Sequence, residues 1–249
     1  MSQPTIRKQR IRRSSVKVRL IVFGTLAVLL ILFSVFSEQL TPYDPYLQDL
    51  SNAKAPPSAE HLLGTDRYGR DMLSRVIVGS RTSIFSTLLL VAVITVLGTA
   101  VGIFCGWNGR WMDTVLMRIS DMFLAFPGLV FALAVAGSLG GGLQNAILAL
   151  AAISWPKYAR IARSQTLAQK ETVWMRAAKL SGSSPGKLIF KHILPNIIGP
   201  ILVTAMLDIG TMMMELAALS FLGLGAKPPT AEWGSMMSDT RSLMSTSPW

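Results

Sequence analysis

Two carboxylates stand where lipid would be the solvent. Asp208 and Glu215 lie seven residues apart in an apolar run, with Thr204, Thr211 and Met212 close to the same stripe. At about 3.6 residues per turn that spacing puts both acids on one helical face. Acidic groups are costly inside a bilayer and face a bundle interior or water. The stripe is therefore expected to line a translocation path or a subunit interface; the alternative is that each acid pairs with a neighbouring helix or another subunit. Asp121 is a weaker candidate for such a path, because Arg118 stands three residues earlier and can pair with it locally. Met212, Met213 and Met214 invite a soft metal ion. Methionine is equally the flexible filler of apolar contacts, and three in succession cannot all face one ion. No metal site is expected. Cys105 is the one cysteine, His61 and His192 are the two histidines, and no CxxC or Cys/His spacing joins them. Histidine-based catalysis is not expected either.

The second chemical feature is a basic stretch, Glu171 to Pro195. Glu171 to Leu180 is rich in helix formers, and Gly182 suits the left-handed residue that ends a helix. Ser183 or Ser184 can cap a following helix, with Pro185 in its first turn. That helix is expected to present Leu188, Ile189 and Ile193 on one side and Lys187 and Lys191 on another, before Pro195 breaks the chain. A short amphipathic helix of this kind either lies in a groove on a partner protein or rests on anionic lipid.

These residues must be positioned by membrane helices. The 249 residues are 51% hydrophobic and only 15% charged, against about 25% charged in soluble domains. The net charge of +11 is concentrated before the first apolar run and between Lys157 and Lys191. Neither cluster is interleaved with a base-stacking aromatic array, so nucleic acid is not an expected partner. The pattern predicts a basic N-terminus (1–19) and a first span at 20–37. It then predicts an extracytoplasmic loop at 38–81 and a core at 82–249. Within that core, spans are expected at 82–106, 115–136, 143–158 and 196–219. The last two are separated by a cytoplasmic loop (159–195), and an extracytoplasmic tail (220–249) follows. The glycines of Gly137 to Gly142 separate the third and fourth. With the N-terminus inside, cytoplasmic segments hold 17 Lys/Arg and outer segments 7, which favours that orientation and lets the N-terminal cations attract anionic lipid.

The string Ala177-Ala178, Gly182, Leu194-Pro195 resembles the EAA loop of importer-type ABC transporter permeases, with Arg176 where that family has Glu and His192 where it often has Ile. Three further stretches resemble the dipeptide, oligopeptide and nickel permease group. They are Tyr43-Asp44-Pro45, Leu63 to Asp71, and Ser220 to Gly225 followed by Pro229-Thr-Ala-Glu-Trp-Gly234. The tail, with Leu207-Asp-Ile-Gly210, looks slightly closer to the nickel branch. The resemblance implies an all-α polytopic helix bundle of the type I ABC importer permease fold in a bacterial inner membrane. Five spans are visible and the family's sixth, beyond the Ser-Pro-Trp region, is missing. It further implies coupling to an ATPase through Arg176, Ala177, Ala178, Gly182, Leu188, His192, Leu194 and Pro195. The charges place a translocation path at Asp208, Glu215, Thr204, Met212 and Asp121. Asp66, Arg70 and Asp71 are either a solvated surface or a docking surface for the binding protein or pore mouth, and the resemblance favours docking without assigning it residue by residue. The implied partners are a second homologous permease, two ATP-binding subunits carrying ATP and Mg, and an extracytoplasmic substrate-binding protein. The chain itself holds no GxxxxGK[ST] string and is expected to bind no cofactor and to be no enzyme. The cargo would be small peptides or nickel complexes. Competing expectations are a truncated or regulatory remnant without transport, or an ATPase-independent channel or secondary transporter, for which inverted repeats would be the sign.

Overall fold

A computed structural model describes residues 5–249, with side-chain surroundings from residue 17 onward. Most of the N-terminal basic cluster expected to anchor the chain therefore lies outside the described side chains. Long helices account for the fold: α1 (Thr5–Val35), α2 (Met72–Asn108), α3 (Arg110–Ala125), α4 (Gly128–Ser138), α5 (Leu143–Lys170), α6 (Val173–Leu180), α7 (Pro185–Phe221) and α8 (Trp233–Thr240). The chain divides into two units, one ending at Ile84 and one from Phe85 to Trp249.

In the first unit, irregular backbone between α1 and α2 is tied by two buried carboxylates. Asp66 accepts hydrogen bonds from the Tyr68 and Arg70 amides (2.8 and 3.0 Å) and from Arg70 Nε (2.6 Å). Asp71 caps α2, accepting from the amide and hydroxyl of Ser74 (2.8 and 2.7 Å), and lies 2.9 Å from His61 Nδ1. Gly69 sits at φ +74°, where a β-carbon would stand 1.7 Å from the Asp49 carbonyl oxygen; only glycine fits. The Leu63 to Asp71 motif is thus a fold-determining knot at the start of α2.

In the second unit α5 is the central element. Ala146, Ala149, Leu150, Ile153, Tyr158, Ala159 and Ala162 are buried on it, facing α4, α7, α3 and the second half of α2. Gly98, Gly102 and Gly106 let α2 approach closely. A β-carbon at Gly102 would meet the Ala159 carbonyl oxygen at 2.3 Å, and one at Gly106 the Thr166 β-carbon at 2.8 Å. Such small-residue spacing is the means by which membrane helices reach backbone-to-backbone packing. The Pro229 to Gly234 motif has an equally local reason. Buried Glu232 caps α8 through the amides of Gly234 and Ser235 (2.8 and 2.9 Å), and Gly234 packs against Ala217 of α7.

Among the described residues, three helices are long and apolar enough to cross a membrane: Lys17–Val35, Met72–Asn108 and Pro185–Phe221. The helix expected over 115–136 is not continuous. It breaks into α3 and α4 with a 95° bend, because Pro127 supplies no amide hydrogen and holds Phe126 in extended backbone (φ −93°, ψ 146°). The segment expected as a span at 143–158 is the first part of α5, which continues through Lys157, Arg160 and Arg163 to Lys170. Between α4 and α5, Gly140, Gly141 and Gly142 all take positive φ.

Candidate coupling surface and intramembrane ion pairs

The loop between α5 and α7 is a built element with one face inward and one outward. In α6, Met175 is fully buried and Ala178 packs on the core, while Val173 and Leu180 are 83% and 89% exposed. The helix ends in a left-handed turn at Gly182 (φ +75°), closed by Ser183 N–H donating to the Ala178 carbonyl (3.2 Å). Ser184 precedes Pro185 as the N-cap of α7, without a side-chain hydrogen bond. The first turns of α7 then widen into a π-helical segment, Ile189–Ile193. This phase change leaves Ile193 buried and Phe190 73% exposed. The rings of Trp174 and His192 meet at 5.6 Å and lock α6 to that segment.

The expected coupling residues separate accordingly. Arg176, Ala177, Gly182 and Pro195 are exposed, and His192 and Leu194 are half-buried. Leu188, named among the coupling residues, is only 2% exposed and belongs to the core with Met175 and Ile193, on the side opposite exposed Lys187 and Lys191. It supports the loop from within. The outward apolar side chains are Val173, Leu180 and Phe190. Arg176 pairs with Glu171 at 2.9 Å, both well exposed, an arrangement worth little in stability.

Two acids of the expected path, Asp208 and Asp121, are engaged by helix α5. Asp208 is buried; Lys157 Nζ donates to one oxygen at 2.6 Å and the Tyr158 hydroxyl to the other at 2.9 Å. Met212 is buried on the same side, Thr204 and Glu215 are half-buried, and Thr211 is exposed. Asp121 pairs with Arg160 of α5 rather than with Arg118 of its own helix, since its face of α3 turns toward α5. Further along α5, Arg163 grips Asp113 bidentately (2.5 and 2.6 Å).

Asp66, Arg70 and Asp71, expected as a docking surface, are each under about a tenth exposed, at 6%, 3% and 3%. Arg70 pairs with Asp66, and Asp71 is held by His61 and Ser74, so these groups shape the segment between α1 and α2 from inside it. Sequence reasoning missed Asp113, Lys157, Tyr158 and the glycine stripe of α2. Only the stripe had a legible signal, the Gly98, Gly102, Gly106 repeat.

The chain is all-α among the described residues, with several apolar helices and a loop that carries exposed apolar side chains on a buried base. Residues 98–246 match the family of binding-protein-dependent transport system inner membrane components. The chain is 42% identical over 219 residues to the dipeptide transport system permease protein DppC of Alkalihalophilus pseudofirmus, covering 88% of this chain and 72% of that one. It is 38% identical over 227 residues to the glutathione transport system permease protein GsiD of Pectobacterium atrosepticum (90% and 75% covered). To the nickel transport system permease protein NikC of Escherichia coli it is 39% identical over 236 residues (95% and 84% covered). The chain belongs to the binding-protein-dependent inner membrane component family of ABC importers. It is a permease, not an enzyme; hydrolysis of ATP is the work of separate subunits.

Proposed function

We propose that this chain forms one side of a pore with a second, homologous permease, and that two ATPase subunits drive the pair through the α6–α7 loop. The carrying observation is the outward trio Val173, Leu180 and Phe190, mounted on the buried base of Met175, Leu188 and Ile193. Exposed apolar side chains on an otherwise basic loop suit a protein groove better than water. ATP with Mg binds the partner ATPases; their closure pulls the docked loops together and turns the pore outward. An extracytoplasmic binding protein delivers the cargo, small peptides or nickel complexes, and the N-terminus lies in the cytoplasm. Thr204, Thr211 and Glu215 face the path. Asp208, Met212 and Asp121 hold its walls through α5.

The test is uptake of radiolabelled dialanine and of radiolabelled nickel into vesicles holding the full complex. Accumulation of at least one label is expected only with ATP and the ATPases present. Phe190→Asp is expected to lower ATPase binding and uptake by tenfold or more, on the order of the loss of one buried aromatic anchor. Accumulation that ignores the ATPases contradicts the reading.

A further inference from the structure

Below the glycine stripe, the last turn of α2 is clasped from two directions. Lys170, at the end of α5, donates from Nζ to the carbonyls of Gly106 and Trp107 at 3.0 and 2.8 Å. These are carbonyls that the ending helix leaves without intrahelical partners, and a cation is favoured at that negative pole. The same ammonium lies 5.8 Å from the centroid of the Trp107 ring. From the other direction comes α6: Lys179 Nζ lies 5.3 Å from the centroid of that ring. One indole therefore faces two ammonium groups from two different elements. Burial, reinforced by the neighbouring charge of Lys179, lowers the Lys170 pKa from its ordinary value. Holding two like charges on one ring is unfavourable unless the ring and the carbonyls repay it, which they do by geometry.

The placement is selective. Trp107 ends a helix long and apolar enough to cross the membrane (Met72–Asn108). Lys179 sits in the outward-facing α6, next to exposed Leu180 and one residue beyond Ala178, which packs on the core. The Lys179 contact thus bridges the loop that is offered to a motor and the foot of a spanning helix. Lys179 itself is exposed.

We infer that Trp107, clamped between Lys170 and Lys179, is a joint that carries displacement of α6 into α2, making Trp107 and Lys179 positioning residues for transport. The inference rests on the proposed docking of an ATPase at α6. When α6 is pushed, Lys179 draws the ring, and the ring draws the α2 terminus that Lys170 fixes to α5. Without the contact, α6 moves while α2 lags, and hydrolysis proceeds without a matching stroke.

The discriminating measurement is cargo accumulated per ATP hydrolysed, in vesicles holding the complete complex, with dialanine, glutathione and nickel as probes. Lys179→Met is expected to leave the ATPase bound and hydrolysing while cargo per ATP falls about fivefold, the size of one partly desolvated cation–π contact. Lys179→Arg, which keeps a cation over the ring, is expected to restore the ratio. Trp107→Leu should match Lys179→Met, Trp107→Phe should recover part of the ratio, and the Leu/Met double variant should be no worse than either single one. Should Trp107→Leu fail to assemble, the Lys179 pair decides alone. An unchanged ratio in Lys179→Met overturns the joint. So does a loss that Lys179→Arg does not repair. Uptake by the unaltered complex that needs no ATPase instead overturns the docking reading beneath it.

Discussion

Asp208 shows how a residue's chemistry can be legible while its role is not. Its acidity inside an apolar run marked it for a polar environment. Which polar environment depended on Lys157 and Tyr158, fifty-odd positions away and adjacent only once α5 and α7 pack. Leu188 and Asp66 carry the same lesson: their residue types were read correctly, yet burial is a property of the packed elements. The structural reading of Asp208 has a measurable consequence. Asp208→Ala removes the acceptor of a buried hydroxyl and the partner of a half-exposed ammonium. It is expected to destabilise the detergent-solubilised protein by about 2–3 kcal/mol, with Lys157→Met costing under about 1 kcal/mol because solvent screens that end of the pair. Thermal unfolding of both variants checks this. A normal midpoint with abolished uptake in Asp208→Ala would make the acid a path residue instead.

Helix α2 and the α3–α4 break illustrate the element scale. Apolar length located α2, but the Gly98, Gly102, Gly106 spacing that marks its packing face went unread, although it stands in the sequence. Nothing local told that the neighbour is α5. At Gly102 a β-carbon would press on backbone, which cannot rotate away. Gly102→Val is accordingly expected to destabilise by about 1–3 kcal/mol or more, against near-neutral behaviour for Gly24, where a β-carbon meets nothing within 4 Å. Equal midpoints for Gly102→Val and Gly24→Val would refute the close approach. The 95° bend was half-legible: Pro127 was present in the predicted span, but hydrophobic length outweighed it there. In a bilayer the freed amides at such a break need water or protein around them, which agrees with a bundle of several chains. The π segment of α7 was not legible, since a one-residue widening leaves no compositional trace.

For the whole molecule, the balance of cations along the chain, the apolar lengths and the motif order pointed to a membrane permease, and the family match agrees. What the sequence left open was how the loop between α5 and α7 stands: α6 braced by Met175, in contact with Trp107 through Lys179, and presenting Val173, Leu180 and Phe190. In the proposed mechanism this surface receives the motor. Single cysteines at Leu180 and Phe190, in a background where buried Cys105 is replaced by alanine, would carry a short photoactivated crosslinker in intact membranes. Capture of an ATPase subunit from both positions, lost from a control cysteine at exposed Leu202 in the apolar part of α7, is the expected result. Capture of phospholipid alone from Leu180 and Phe190, in cells making the complete transporter, contradicts the account.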